Sequence, residues 1–113
     1  MISGVTFQVM VSDFQQGLEW YTRLFARKPD FLPHEGFVEW QIVPNAWLQV
    51  GEGTPLKGRP IRFGVSNIVQ ERERIQRELN VQVAPIERLE GVAAWCNFTD
   101  PFGNQLGLFQ DLA

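Results

Sequence analysis

A strand leading into a capped helix occurs twice in this chain, and the second copy keeps the register of the first. Residues 7–12 (FQVMVS) match residues 61–66 (IRFGVS) at a shift of 54, which sets Val11 against Val65, Ser12 against Ser66, Asp13 against Asn67 and Gln16 against Gln70. Similarity at a fixed shift means that one supersecondary unit is used twice. A single unit of this kind cannot cover its own sheet, so two copies must pack together or pair with another chain.

Local patterning fills in each copy. In residues 5–11 (VTFQVMV), Phe7, Val9 and Val11 alternate with Thr6, Gln8 and Met10, the two-residue period of a strand. Asp13 is placed to cap a helix whose apolar stripe reads Phe14, Leu18, Tyr21, Leu24 and Phe25, with Pro29 as its stop. A weak strand near residues 30–32, then strands at 37–43 and 46–50 around a Pro44-Asn45 turn, complete the first copy. Residues 51–60 (GEGTPLKGRP) read as a loop or linker. In the second copy a helix over residues 68–79 carries the stripe Ile68, Ile75 and Leu79, and Glu71, Arg72, Glu73 and Arg74 read as a solvated face. Strands are expected at 81–87, 92–99 and 105–109, the last two joined at Asp100-Pro101-Phe102-Gly103, where Pro and Gly stand where a tight turn uses them. The expectation is an α+β fold: two tandem βαβββ modules, about 1–52 and about 60–113, in one domain spanning residues 1–113.

Bulk properties bound the function. A chain of 113 residues, 44% hydrophobic, can bury a core without staples. A net charge of −3, with basic residues scattered among acidic ones, offers no footprint for nucleic acid. No apolar run approaches the ~20 residues of a membrane span. The single cysteine, Cys96, cannot form an internal disulfide, and no leader pattern opens the sequence, which points to the cytoplasm.

The doubled unit, with V-S-D before the first helix and D-P-F-G-N before the last strand, resembles the vicinal oxygen chelate superfamily, which includes glyoxalases, bleomycin-resistance and fosfomycin-resistance proteins and extradiol dioxygenases. The resemblance covers nearly the whole chain through VSDFQQGLEWYTRLF and NFTDPFGNQLGLF. It implies a curved, cup-like mixed sheet with helices on its outer face, and a homodimer. Metal-dependent members hold His and Glu ligands at four positions, which fall here on Thr6, Gln49, Pro60 and Gly107. Pro and Gly lack a side-chain donor atom, and Thr and Gln are poor ligands, so no metal and no other cofactor is expected.

The remaining candidates divide by strand alternation. One face of the strands would carry Thr6, Gln8, Met10, Trp47, Gln49, Arg62, Trp95, Asn97, Gln105 and Phe109. Indoles, amides and one guanidinium suit a small organic ligand, and Gln8, Trp47, Gln49, Arg62, Trp95 and Asn97 are the expected ligand-binding residues of a cleft. Arg62 is the candidate for an anionic group. Cys96 should be a packed thiol, His34 an exposed loop residue, Asp100 a turn-bonding carboxylate, and Trp40 as easily core as site. The competing reading is a metal-dependent glyoxalase- or dioxygenase-like lyase or isomerase with non-standard ligands, such as His34 with Glu39 or Glu52. A third is an interaction module whose tryptophans serve association.

Overall fold

A computed structural model describes residues 1–55 and 57–113. The chain divides into two compact units, residues 1–56 and 57–113. Position 56, inside the expected linker, lies outside the described residues.

The first unit runs β1 (Val5–Val11), α1 (Phe14–Phe25), β2 (Phe31–His34), β3 (Phe37–Val43) and β4 (Ala46–Glu52). Its sheet has the order β1-β4-β3-β2, with β1 parallel to β4 and the other pairs antiparallel. The second unit repeats the plan with β5 (Ile61–Gly64), α2 (Ile68–Leu79), β6 (Glu87–Leu89), β7 (Ala93–Thr99) and β8 (Gln105–Asp111). The order is β5-β8-β7-β6, again with one parallel pair, β5 and β8. This is the α+β arrangement of tandem βαβββ units that the repeat implies.

Both helices start where the sequence places a cap. Asp13 and Asn67 hold extended backbone, and their side-chain oxygens accept from the amides of Gln16 at 3.0 Å and Gln70 at 3.1 Å. Both end on a left-handed residue, Ala26 and Asn80. The first helix therefore stops at Phe25, four residues before Pro29, because the reversal is made at Ala26 and not by the proline ring. Its buried stripe also differs from the expected one. Phe14, Gly17, Trp20, Tyr21 and Leu24 are buried, whereas Leu18 and Phe25 are only partly covered. Gly17 explains the rotation, since a residue without a side chain lets the helix come close to β1 at Val11 and turns Trp20 inward.

Between α1 and its sheet lie Val9, Val11, Val38, Trp40, Leu48 and Val50. Trp40 is core: it is fully buried, its ring centroid lies 5.1 Å from Phe25, and its indole N–H donates to the Arg27 carbonyl at 3.0 Å. Phe7, expected on this greasy face, remains 44% exposed. In the second unit Ile68, Ile75 and Leu79 meet Ala94, Cys96, Phe98, Leu106 and Leu108. Cys96 is 1% exposed, and burial raises its thiol pKa.

Three expected stretches are corrected. β4 continues through Gly51 and Glu52, so the loop begins at Gly53. The weak strand of the first unit is Phe31–His34, one residue longer than 30–32 and ending two residues later, and exposed throughout. The strand expected at 81–87 does not form. Val83 makes an isolated bridge to Phe98, and regular pairing begins only at Glu87. Arg72 holds the segment instead: its guanidinium donates to the neighbouring carbonyls of Ala84 at 2.9 Å and Val83 at 2.8 Å, which in a regular strand would point to opposite edges. Pro85, which has no amide hydrogen, blocks continuation. Arg72 is thus a structural clamp and not part of a purely solvated face.

Candidate functional site

Side chains on the sheet faces turned away from the helices fall into corresponding rows in the two units. The ladder of the first unit sets Gln8 opposite Gln49 and Gln49 opposite Glu39. That of the second sets Arg62 opposite Gly107 and Gly107 opposite Asn97. Gln8 and Arg62 are 54 residues apart, and both Gln49 to Gly107 and Glu39 to Asn97 span 58. The repeat therefore places these two rows at the same point of the unit, with different chemistry.

In the first row the amides form a directed chain. Nε2 of Gln8 donates to Oε1 of Gln49 at 2.9 Å, and Nε2 of Gln49 donates to Oε2 of Glu39 at 3.4 Å. The carboxylate can only accept, so it orients Gln49, which in turn orients Gln8. Trp47, half-buried, lies one row away, opposite Thr6 and Gln41. The sequence offers Glu39 only beside His34, as a non-standard metal ligand. Its signal was available in the alternation of β3, where it faces away from Val38 and Trp40.

Gly107 shapes the second row. Nε of Arg62 donates to Oδ1 of Asn97 at 3.0 Å, directly across β8. A Cβ at Gly107 would lie 2.7 Å from that oxygen and 2.9 Å from Cγ of Arg62. The bridge exists because position 107 has no side chain. One row further along, Gly64, Phe109 and Trp95 stand side by side, and the Phe109 ring covers Gly64. Trp95 and Asn97 are half-buried, and Arg62 and Phe109 are exposed.

The structure thus brings together Gln8 with Gln49, and Arg62 with Asn97. Two hollows lie elsewhere, and Gln8, Trp47, Gln49, Arg62 and Trp95 line neither. One of about 930 Å³ runs beside the irregular segment 81–85, bordered by Arg72, Gln76, Val83, Asn97 and Thr99. The other, of about 280 Å³, is at the start of α1 among Asp13, Phe14, Glu35 and Glu52.

The positions a metal would need do not suit one. Gln49 and Gly107 do occupy corresponding places on β4 and β8, but Pro60 precedes β5, and the Gln49 amide oxygen already accepts from Gln8. Among the described residues no group of three or more His, Cys, Asp or Glu could hold a metal ion. His34 ends β2 instead of lying in a loop. Its ring stacks on Phe37 at 5.3 Å, and Nδ1 lies 2.9 Å from the Glu35 carbonyl oxygen. Among the described residues it makes no hydrogen bond to Glu39 or Glu52.

Solved structures share this fold over nearly the whole chain. A glyoxalase/bleomycin resistance protein from Catenulispora acidiphila DSM 44928 superposes with a TM-score of 0.78 at 24% identity, covering 96% of this chain and 98% of that one. TnmS3, an antibiotic binding protein from Streptomyces sp. CB03234, gives 0.80 at 22% identity, covering 97% of each chain. A lactoylglutathione lyase from Agrobacterium tumefaciens gives 0.74 at 12% identity, covering 94% and 91%. No protein-family model and no curated protein matches the sequence. The fold is the one these glyoxalase/bleomycin-resistance-type structures share, as the doubled unit and its two motifs imply. No helix among the described residues is long and apolar enough to cross a membrane.

Proposed function

We propose that this protein binds a small organic molecule without metal, each unit offering the sheet face turned away from its helix: Gln8, Trp47 and Gln49 in the first and Arg62, Trp95 and Asn97 in the second. The observation that carries the reading is the pair of corresponding rows. Hydrogen-bonding side chains stand oriented on the faces opposite the helices, with half-buried indoles beside them. Aromatic walls supply contact area and a few fixed polar groups supply orientation, the usual composition of a small-molecule site. TnmS3, with the same fold, is an antibiotic binding protein, which supports a binding role. The protein acts as a cytoplasmic homodimer in this reading.

A thermal-shift screen of dialysed protein against divalent metals and a panel of aromatic and anionic compounds tests it. A ligand at about 100 times its dissociation constant adds about 2.7 kcal/mol, and each kcal/mol raises the midpoint of a domain this size by roughly 4 °C or more. Stabilisation by an organic compound and by no metal is expected. Stabilisation by one metal alone would overturn the proposal in favour of a metal-dependent enzyme, and light scattering on the same sample reads the dimer.

A further inference from the structure

The hydrogen bonds left over in the second row say what kind of ligand it takes, an inference that rests on the binding reading above. Arg62 gives its Nε–H to Asn97, and among the described residues neither Nη1 nor Nη2 has a partner. Because Asn97 accepts through Oδ1, its amide nitrogen faces outward as a donor. Its backbone oxygen is taken by the amide of Ala84 at 2.9 Å. The row therefore presents donors and no free side-chain acceptor except the second lone pair of Oδ1. The first row differs. There the carboxylate of Glu39 terminates the chain and leaves acceptor capacity on Gln8 and Glu39.

From this we infer that the Arg62–Gly107–Asn97 row is an anion subsite, recognising the carboxylate of a flat aromatic acid whose ring lies on Phe109 and Trp95. The Nη1/Nη2 end of a guanidinium matches a carboxylate with two parallel N–H···O bonds. Holding Nε on Asn97 fixes the plane of that fork before the ligand arrives, which lowers the ordering cost of binding. Phe109 spreads over Gly64 and neighbours Trp95 in the ladder, so an apolar platform adjoins the charge. Asp111 stands four residues, about 14 Å, along β8 from Gly107, and Glu87 stands beyond Trp95 on β6. Three strand spacings, about 14 Å, separate it from the β5 position of Arg62, too far to neutralise the guanidinium.

The test compares 2-naphthoate with its neutral isostere 2-naphthamide by isothermal titration calorimetry at low ionic strength. On the wild type the acid should bind at least about tenfold more tightly, the effect of hydrogen bonds to a charged group. Arg62→Gln should bring the two affinities together by weakening the acid more than the amide, and Gly107→Ala, which pushes Arg62 off Asn97, should do the same. Because Ala at 107 also meets the Cys96 carbonyl oxygen at 2.9 Å, it could disturb the sheet. Arg62→Gln, at an exposed position, keeps the test independent of folding. Equal affinities on the wild type, or a preference that survives Arg62→Gln, would overturn the anion subsite while leaving the binding reading standing. If neither compound binds, the subsite is overturned, and if the wider screen is also silent, the binding reading falls with it.

Discussion

Replacing Gly17 by Ala sets two well-known effects against each other, and the structure decides the sign. In an exposed helix the change would stabilise by about 1 kcal/mol through helix propensity and loss of unfolded-state freedom. Here a Cβ at position 17 would lie 2.6 Å from Cγ2, 3.1 Å from Cγ1 and 3.0 Å from Cβ of Val11, which is fully buried. Carbon atoms in contact prefer about 3.5–4.0 Å. A new rotamer would move the two methyls but not Cβ of Val11, so the clash cannot be relieved by side-chain rotation. The helix must lift from β1, and overpacking of this kind costs roughly 1–3 kcal/mol. With contacts nearly 1 Å too short, the upper part of that range applies, and the net change is a destabilisation of about 1–2 kcal/mol.

Urea unfolding followed by tryptophan fluorescence reads it, since Trp20, Trp40 and Trp47 all lie in the first unit. The midpoint should fall with an unchanged slope. Adding Val11→Ala removes the two methyls, so the double variant should be less destabilised than the sum of the single ones, by about 0.5 kcal/mol or more. A Gly17→Ala protein as stable as the wild type, or more so, would refute the close approach of α1 to β1.

Asp100 is 4% exposed, and its carboxylate accepts from the amides of Phe102 at 2.9 Å and Asn104 at 2.8 Å and from the Asn104 side chain at 2.8 Å. Asp100→Ala strands those donors and should cost about 2–4 kcal/mol in urea unfolding, whereas a loss under 1 would contradict the turn's dependence on it. Asp30 has its pKa lowered from 3.8 by the hydrogen bond from Arg27 at 2.6 Å and by the Gln41 amide at 2.7 Å. Its folded pKa lies below the unfolded one, so its contribution is present above about pH 4 and is lost as pH falls through the folded value. Asp30→Asn should therefore show a shallower decline in melting temperature below pH 4 than the wild type, and parallel curves would refute the assignment. Cys96 should react with a thiol-specific chromogenic disulfide only as fast as the protein opens, because burial both hides the thiol and raises its pKa. Labelling at the rate of a free thiol would contradict its place in the core.

Legibility in the sequence follows from what each signal depends on. Both caps, the hairpin at Asp100 and the alternation of β1, β3, β4, β7 and β8 are local, set by residues within a few positions of one another, and were readable, as was the repeat, which is those local signals recurring at a shift of 54. Trp20 was missed because helical spacing allows a stripe to rotate by one position, and a contact between Gly17 and a different element chose between the alternatives. The segment 81–86 was misread as a strand for a similar reason. Its apolar alternation is genuine, yet Arg72, about ten residues earlier, draws neighbouring carbonyls to one guanidinium. A long-range contact of that kind leaves no local trace.

The candidate residues show the same division more sharply. Alternation assigned Gln8, Gln49, Arg62 and Asn97 to one face of their strands, but only the ladder register reveals which of them touch. Register also turns a seeming absence into a structural cause. Gly107, which reads in sequence as a vacant ligand position, is the gap through which Arg62 reaches Asn97, while the corresponding Gln49 fills the gap and relays between Gln8 and Glu39. Two copies of one unit thus differ in charge at the same point of the sheet: a carboxylate ends one row and a guanidinium begins the other. Exchanging those characters needs few substitutions and disturbs no core residue, because every side chain involved stands on the face opposite the helix. Ligand preference in such a unit can change while the fold's stability, which resides on the other face, stays where it is.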